Sequence, residues 1–267
     1  MKEMFLMSWN VNGIRAVANK GFIKYLESQR PDIFCLQETK ARPDQLSGDL
    51  LSPPGYLSYW NYPAEKKGYS GVGLYSREKP SSISLGIGIP EFDDEGRIII
   101  AEYSQFSLFN VYFPKGDKDA RIHRLRYKLA FYDAFLDHLD TMKVKKQSIV
   151  ICGDFNTAHR PIDLARPREN QKTSGFRPEE RAWIDKLIEH GFVDTFRLFN
   201  DQPQQYTWWD MKTRARERNI GWRLDYFFVT RAMLDNVSDA LILNNVKEII
   251  GADGSDHCPV GIRLIFR

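Results

Sequence analysis

Residues 148–158 read Ser148-Ile149-Val150-Ile151-Cys152-Gly153-Asp154-Phe155-Asn156-Thr157-Ala158. Four apolar residues in a row, Ile149 to Cys152, predict a strand buried on both faces of a sheet. Gly153 is expected to end it. Asp154 and Asn156 follow two residues apart, so they lie on one side of the backbone while it stays extended. A carboxylate and an amide at the mouth of a buried strand cost free energy unless something there binds them. A Gly-Asp turn capping the strand would account for this stretch taken alone. The same arrangement recurs along the chain, and the recurrence points to a site.

Working outward, Phe5 to Asn10 predicts a strand running into Asn10-Val11-Asn12-Gly13, again two short polar side chains spaced by two before a glycine. Asp32 to Glu38 is an apolar strand ending in Gln37-Glu38, and Phe106 to Tyr112 ends in Tyr112-Phe113-Pro114. Arg223 to Val229 carries Asp225, and Gly254-Ser255-Asp256-His257 precedes a last strand, Val260 to Phe266. Gly71 to Ser76, Ile98 to Tyr103 and Leu241 to Leu243 are further strands. Helices are expected at Phe22-Ile23-Leu26, closed by Arg30-Pro31, and from Pro178, with Trp183, Leu187 and Ile188 inward and Gly191 past the end. The longest is 119–142, capped by Asp117 or Asp119, whose stripe of Ile122, Leu125, Leu129, Tyr132, Phe135, Leu136 and Leu139 reads as core. Strands joined by tight turns yet alternating with helices predict an α/β protein of mixed sheets packed together and covered by helices.

The 267 residues are 42% hydrophobic and 13% aromatic, enough for a large core. No repeat or Gly/Ser-rich linker divides them, so residues 1–267 read as one domain. No apolar run approaches the roughly 18 residues of a membrane span, and the N-terminal run is too short for a signal peptide. Cys35, Cys152 and Cys258 lie far apart. An odd count of buried-looking thiols suggests a reducing cytoplasm, and argues against a disulfide framework or a zinc site.

Net charge is +3 and uneven. Arg160 to Arg181 holds six basic and four acidic residues, and Thr207 to Arg223 five basic and two acidic. These segments carry +5 together, which leaves −2 on the remainder. Positive charge confined in this way suits an anionic polymer bound on one face, although either segment alone would be ordinary solvated surface.

Asn10, Asn12, Glu38, Tyr112, Asp154, Asn156, Asp225, Asp256 and His257 all sit at ends of apolar strands. Each alone could be a cap, a turn or a satisfied polar group. Strand ends at one edge of a sheet converge, so the set is read together. Hard oxygen donors with one histidine favour Mg²⁺ or Mn²⁺ over zinc. They suit phosphoryl chemistry, where charge is neutralised and a water oriented. No G-x-x-x-x-G-K-[ST] loop occurs, which disfavours nucleoside triphosphate hydrolysis of that type.

The segments N-V-N-G-I-R-A, L-Q-E-T-K, V-Y-F-P, G-D-F-N-T-A, G-W-R-L-D-Y-F and G-S-D-H-C-P, in this order from Ser8 to Pro259, resemble the exodeoxyribonuclease III-type abasic-site endonucleases. These belong to the endonuclease/exonuclease/phosphatase superfamily. G-D-F-N and S-D-H mark the superfamily; L-Q-E-T-K and the Tyr206 to Phe227 block are specific to the repair nucleases. The resemblance implies a four-layer, DNase I-like α/β sandwich with its site at one end of two packed sheets. It implies Mg²⁺, replaceable by Mn²⁺, bound by Glu38 with support from Asn12 and Asp256. Asp154 would align or deprotonate the attacking water, and Asn156 and His257 would stabilise the crowded phosphorane. Asp225 would orient His257 and favour its charged form, while Tyr112 and Asn10 hold the phosphate or the geometry.

Trp208, Trp222 and Leu224 match the family's apolar pocket for a flipped-out baseless sugar, and core packing is preferred for Trp209. Arg214, Arg216, Arg218 and Arg223 are expected on DNA phosphates. Two positions depart from the pattern. Lys115 stands where relatives commonly have Asn or Gln, which puts a point charge in place of an amide. Asn12 stands where some members have aspartate, which lowers the site's charge and leaves the number of metals open.

The implied activity is a DNA repair nuclease that cuts 5′ to an abasic site in double-stranded DNA. It would leave a 3′-hydroxyl and a 5′-deoxyribose phosphate, with 3′→5′ exonuclease and 3′-end cleaning. A monomer in the cytoplasm, with no membrane partner, is expected. A phosphatase of inositide or lipid headgroups would share the core residues but has no use for the Trp208 to Trp222 segment. A catalytically dead DNA-binding module would have lost one of Glu38, Asp154, Asn156 or His257, and none is lost.

Overall fold

The computed structural model describes residues 1–116, 122–145, 147–246 and 254–267. The proposed caps Asp117 and Asp119 lie outside them. Fourteen strands occur among the described residues. One six-stranded sheet contains β1 (Lys2–Asn10), β2 (Ile33–Gln37), β3 (Leu57–Asn61), β4 (Val72–Ser76), β13 (Val237–Ile242) and β14 (Val260–Phe266). Its order is β13-β14-β1-β2-β4-β3. The other holds β5 (Ser82–Leu85), β6 (Ile98–Glu102), β7 (Ser107–Tyr112), β8 (Ile149–Asp154), β9 (Phe192–Asp194) and β12 (Asp225–Thr230), in the order β5-β6-β7-β8-β12-β9. A two-stranded ribbon pairs β10 (Trp208–Trp209) with β11 (Gly221–Trp222).

Each large sheet has one parallel pair at its centre, β1 with β2 and β7 with β8, and antiparallel pairs elsewhere. The four central strands therefore end at the same edge. There the antiparallel neighbours β12 and β14 begin. This is why polar residues at the ends of β1, β2, β7 and β8 and the starts of β12 and β14 can meet.

Alternation sorts the side chains into layers. Met4 and Leu6 of β1, Cys35 of β2, Leu108 of β7, Cys152 of β8 and Phe227 of β12 form the core between the sheets. Phe5, Met7 and Trp9 face the other way, onto helix Phe22–Gln29 and its Phe22, Tyr25 and Leu26. Ile149 and Ile151, with Phe109 and Phe228, face helices Ile122–Lys145 and Pro178–Glu189 through Tyr132, Phe135, Trp183 and Leu187. Helix, sheet, sheet, helix is the four-layer α/β sandwich. All three cysteines are buried and free. No helix among the described residues is long and apolar enough to cross a membrane.

Gly153 does not end its strand as expected. The ladder continues to Asp154, and Gly153 lies inside it at φ +139°, opposite Tyr226 of β12. A Cβ there would fall 1.8 Å from the carbonyl oxygen of Val111 on β7. The glycine thus lets β7 and β8 close up where Tyr112 and Asp154 must come together. Gly153→Ala should lower stability by at least about 2 kcal/mol, read as a shifted urea midpoint at unchanged slope.

Candidate active site

The polar strand ends are brought together at one edge of the two sheets. Asn10, fully buried at the end of β1, donates from Nδ2 to Glu38 Oε1 at 3.1 Å and to Asp154 Oδ2 at 2.8 Å. One amide thus ties the end of β2 to the end of β8, and the first sheet to the second. Two of these ends share a local design. Asn10 Oδ1 accepts from the Asn12 backbone N–H at 2.9 Å, and Asp154 Oδ1 from that of Asn156 at 2.8 Å. The second residue of each pair is left-handed, with φ +47° at Asn12 and +49° at Asn156, a conformation asparagine tolerates. Glu38 is also left-handed, at φ +49°, without that tolerance. The strain, roughly 1–2 kcal/mol, is held by tertiary contacts, and such outliers cluster at functional sites.

His257 precedes β14 and donates from Nδ1 to Asp225 Oδ2 at 2.8 Å, with Nε2 3.8 Å from Asp154 Oδ2. Ser255 fixes this turn: its hydroxyl donates to the Asn10 carbonyl at 2.7 Å and accepts from the His257 N–H at 3.1 Å. Burial opposes the imidazolium, but Asp225 and then Asp154 outweigh it and lift the His257 pKa to about 10. Burial, reinforced by Asp225, raises Asp154 against the pull of His257. Burial also works against the Glu38 charge, yet Lys40, with Nζ 2.8 Å from Glu38 Oε2, brings its pKa to about 2. Tyr112 is pushed up first by burial and then by Glu38 beside it, so it is a neutral donor.

The donor set fits a hard cation. The Glu38 carboxylate, the Asn12 amide oxygen and Asp256 lie together: Lys40 donates to Asn12 Oδ1, and Asn12 Nδ2 donates to Asp256 Oδ1 at 2.9 Å. The Lys40 ammonium bridges Glu38 and Asn12, which shows that positive charge is accommodated there. Asp154, Asp225 and His257 also form a group able to hold a metal, with ligand-type atoms all within 4.8 Å of one another. The hydrogen bond and charge on His257 suit it better to an anion.

The ribbon places Trp208 opposite Trp222, with ring centroids 6.3 Å apart and planes at 84°. With Leu224, Gly175 and Ser174 they wall a cavity of about 80 Å³ whose other side is Glu38, Asn156 and His257. Trp208 Nε1 also donates to Asp256 Oδ2 at 2.8 Å. Lys115 lines this cavity, its ammonium 5.8 Å from the Trp208 ring centre. Trp209 is buried in the outer core, as expected.

The arginines divide. Arg214 and Arg218 are exposed, and Arg214 pairs with Glu217. Arg216 is half-buried and stacks on Trp209 at 4.6 Å. Arg214 and Arg216 line an open hollow that also includes Ser255 and Asp256. Arg223 is a correction. It is 1% exposed, donates to Asp163 at 2.9 Å and to both oxygens of Asp194, and cannot reach phosphate. Its partners lie 60 and 29 residues away in sequence, so only the fold reveals them.

Lys40, Ser255, Lys128 and Glu180 support the site without having been assigned a part in it. Lys40 and Ser255 fall inside conspicuous motifs. Lys128 carried a signal of its own, a lysine on the buried stripe of an apolar helix between Leu125 and Tyr132.

A sandwich of two mixed sheets with carboxylates, amides and a charged histidine at their shared edge defines a class of phosphoryl hydrolases. The chain belongs to the Endonuclease/Exonuclease/phosphatase family, whose profile matches residues 7–257. It is 42% identical to an exodeoxyribonuclease of Bacillus subtilis (strain 168) over 259 residues, 96% of this chain and 98% of that one. An AP endonuclease structure from Archaeoglobus fulgidus superposes with TM-score 0.87 at 28% identity, covering 98% of this chain and all of that one. A 3′ phosphatase from Neisseria bound to a product DNA hairpin gives TM-score 0.88 at 26% identity, with the same coverage.

Since the folded pKa of His257 lies above its unfolded value of 6.5, this contact stabilises fully below pH 6.5 and is lost as pH rises through about 10. In metal-free protein, Asp225→Asn should drop the His257 titration from about 10 toward 6.5, read from ring-proton shifts by NMR.

Proposed function

We propose that the protein is a Mg²⁺-dependent repair nuclease, with residues 1–267 as one catalytic domain. It hydrolyses the phosphodiester 5′ to an abasic site in double-stranded DNA, for base excision repair. The same centre would remove nucleotides and blocking groups from 3′ ends. The observation that carries this reading is the juxtaposition of the Glu38–Asn10–Asp154 bridge with the cavity between Trp208 and Trp222. A phosphate seated on the polar side leaves the neighbouring sugar facing the tryptophans. The relatives described above support the reading by their activities: an exodeoxyribonuclease, an AP endonuclease and a 3′ phosphatase with DNA.

Glu38 would hold the Mg²⁺, with Asn12 and Asp256 beside it, and Mn²⁺ would substitute. The bound metal supplies a Lewis acid that neutralises charge on the phosphoryl oxygens. Asp154 aligns the attacking water and takes its proton. Its plane is fixed by donation from Asn10 Nδ2, Asn156 Nδ2 and the Asn156 N–H. His257, charged and oriented by Asp225, donates to the pentavalent phosphorane; the Asn156 amide keeps its bond to the Phe113 carbonyl at 3.0 Å and would exchange its longer bond to Asp154, 3.2 Å, for one to the phosphorane. Tyr112, a neutral hydroxyl beside Glu38, holds a non-bridging oxygen. Water attacks in line with the leaving 3′-oxygen; one P–O bond forms as the other breaks, giving a 5′-deoxyribose phosphate and a 3′-oxyanion that takes a proton from solvent to become the 3′-hydroxyl. The enzyme acts as a cytoplasmic monomer on nucleoid DNA.

Matched duplexes carrying an abasic analogue, uracil or no lesion, incubated with Mg²⁺ or EDTA, test the activity. Incision confined to the abasic strand in Mg²⁺ is expected, and no incision in any arm would overturn it. Glu38→Gln should raise the Mg²⁺ needed for half-maximal rate while the protein stays folded. An unchanged Mg²⁺ dependence removes Glu38 as the main ligand.

Trp222→Ala should narrow the gap between abasic and intact duplex with little effect on salt dependence, because the pocket fills only when a baseless sugar turns out. Arg214→Ala and Arg218→Ala should weaken both duplexes alike. Each lost phosphate contact should flatten the slope of log K against log salt by about 0.9. Equal losses on both duplexes for Trp222→Ala would make that tryptophan packing only.

A further inference from the structure

We propose that the buried Lys128–Glu180 pair is a positioning joint, which holds the Asn156 amide and the sugar-pocket wall in one rigid frame for hydrolysis. The inference rests on the repair-nuclease reading and adds to it two residues from helices behind the second sheet. Lys128 and Glu180 are both fully buried. The Lys128 ammonium donates to the Asn156 carbonyl at 2.8 Å, to Thr157 Oγ1 at 2.8 Å and to Glu180 Oε1 at 2.7 Å. Its three protons are all used. Glu180 Oε1 also accepts from the Ser174 hydroxyl at 3.2 Å, while Oε2 accepts from the N–H groups of Gly175 and Arg177 at 2.6 and 3.1 Å.

One ion pair therefore grips two loops, each of which lines the site. On one loop, Asn156 points its amide at Asp154 and is left-handed, so its orientation depends on what holds its carbonyl. On the other, Ser174 and Gly175 wall the cavity beside Trp222; a Cβ on Gly175 would fall 3.1 Å from the Asn156 carbonyl oxygen and 3.3 Å from the Trp222 ring. The loops also touch directly, with the Ala158 N–H donating to the Gly175 carbonyl at 2.8 Å.

Stability alone is a poor reason to keep such a pair. Replacing a buried ion pair by uncharged residues of similar volume is often neutral or stabilising, whereas removing one partner leaves a buried charge uncompensated. The joint's distinctive product is geometry: it sets the distance between the group that stabilises the phosphorane and the wall that receives the sugar. Misplacement of about 1 Å at a reacting group costs on the order of a hundredfold in rate. Lys128 and Glu180 touch no substrate atom, so they act through Asn156 and Gly175.

The test uses the full chain with both charges removed together, Lys128→Met with Glu180→Gln, which keeps an acceptor for the Gly175 N–H. Thermal melting establishes folding; kcat and KM are then measured on abasic duplex in Mg²⁺ beside wild type. The expected result is a folded protein whose kcat falls about ten- to a hundredfold while KM stays within about threefold. A folded double variant with kcat within about threefold of wild type would overturn the proposal and make the pair packing only. Should the double variant not fold, the isosteric Glu180→Gln alone decides. A kcat loss of more than about threefold at unchanged KM supports the joint, and a wild-type kcat overturns it. If wild type itself fails to incise abasic DNA in Mg²⁺, it is the repair-nuclease reading that fails. Active wild type with an equally active variant sinks only the joint.

Discussion

The carboxamide of Asn10 is where the two halves of the molecule are joined chemically. It donates to Glu38 on its own sheet and to Asp154 on the other, with no exposure to water. Two carboxylates brought to one donor would repel each other. A shared amide donor, with Lys40 on one side and His257 on the other, lets both stay close without direct contact. Beneath it a second buried amide pair repeats the linkage: Gln37 donates to Asn110 across the sheets at 2.8 Å, and Asn110 donates to the Gly73 carbonyl. The Gln37 Nε2 donor is shared between Ser8 and Asn110, so this amide contact pins the register of one sheet on the other.

Charge is graded across this edge. Lys40 outweighs burial and draws the pKa of Glu38 down to about 2, while Asp225 outweighs burial and draws that of His257 up to about 10. Asp154 lies between them, and full burial, reinforced by Asp225, makes it resist ionisation against the pull of His257. Environments that push neighbouring groups apart in this way are how a single site assigns donor and acceptor roles. The tryptophans take no part in the gradient except through Trp208, whose ring N–H holds Asp256 toward Asn12. Through that contact the apolar pocket and the hard-oxygen corner become one structure.

Much of the fold was legible because apolar runs such as Ile149 to Cys152 mark buried strands whatever surrounds them. The short edge strands were not. β9 has three residues and β5 exposes three of its four, so neither shows a run or an alternation strong enough to detect. The site's polar residues stood out because each adjoins an apolar strand at one of its ends. Arg223 shows the limit of that reasoning: its neighbours Trp222 and Leu224 do wall the pocket, yet its own side chain turns inward to Asp163 and Asp194. Phosphate-binding and core-bracing arginines are identical as letters.

The sequence by itself determined which residues are the candidates for the chemistry, since the carboxylates, amides and histidine are set at strand ends by local patterning, and determined the layered α/β class through the periods of its apolar residues. Tertiary structure alone decided which of these residues touch. The Asn10 bridge spans 144 residues, Trp9 donates to a carbonyl 248 residues away, and Lys128 reaches Glu180 across 52. It also decided which charges are surface and which are braces. The physical reason is range. Strand and helix patterns are written by neighbours along the chain, whereas hydrogen bonds and ion pairs are made by neighbours in space, and two parallel strand pairs must first be closed on each other before those neighbours exist.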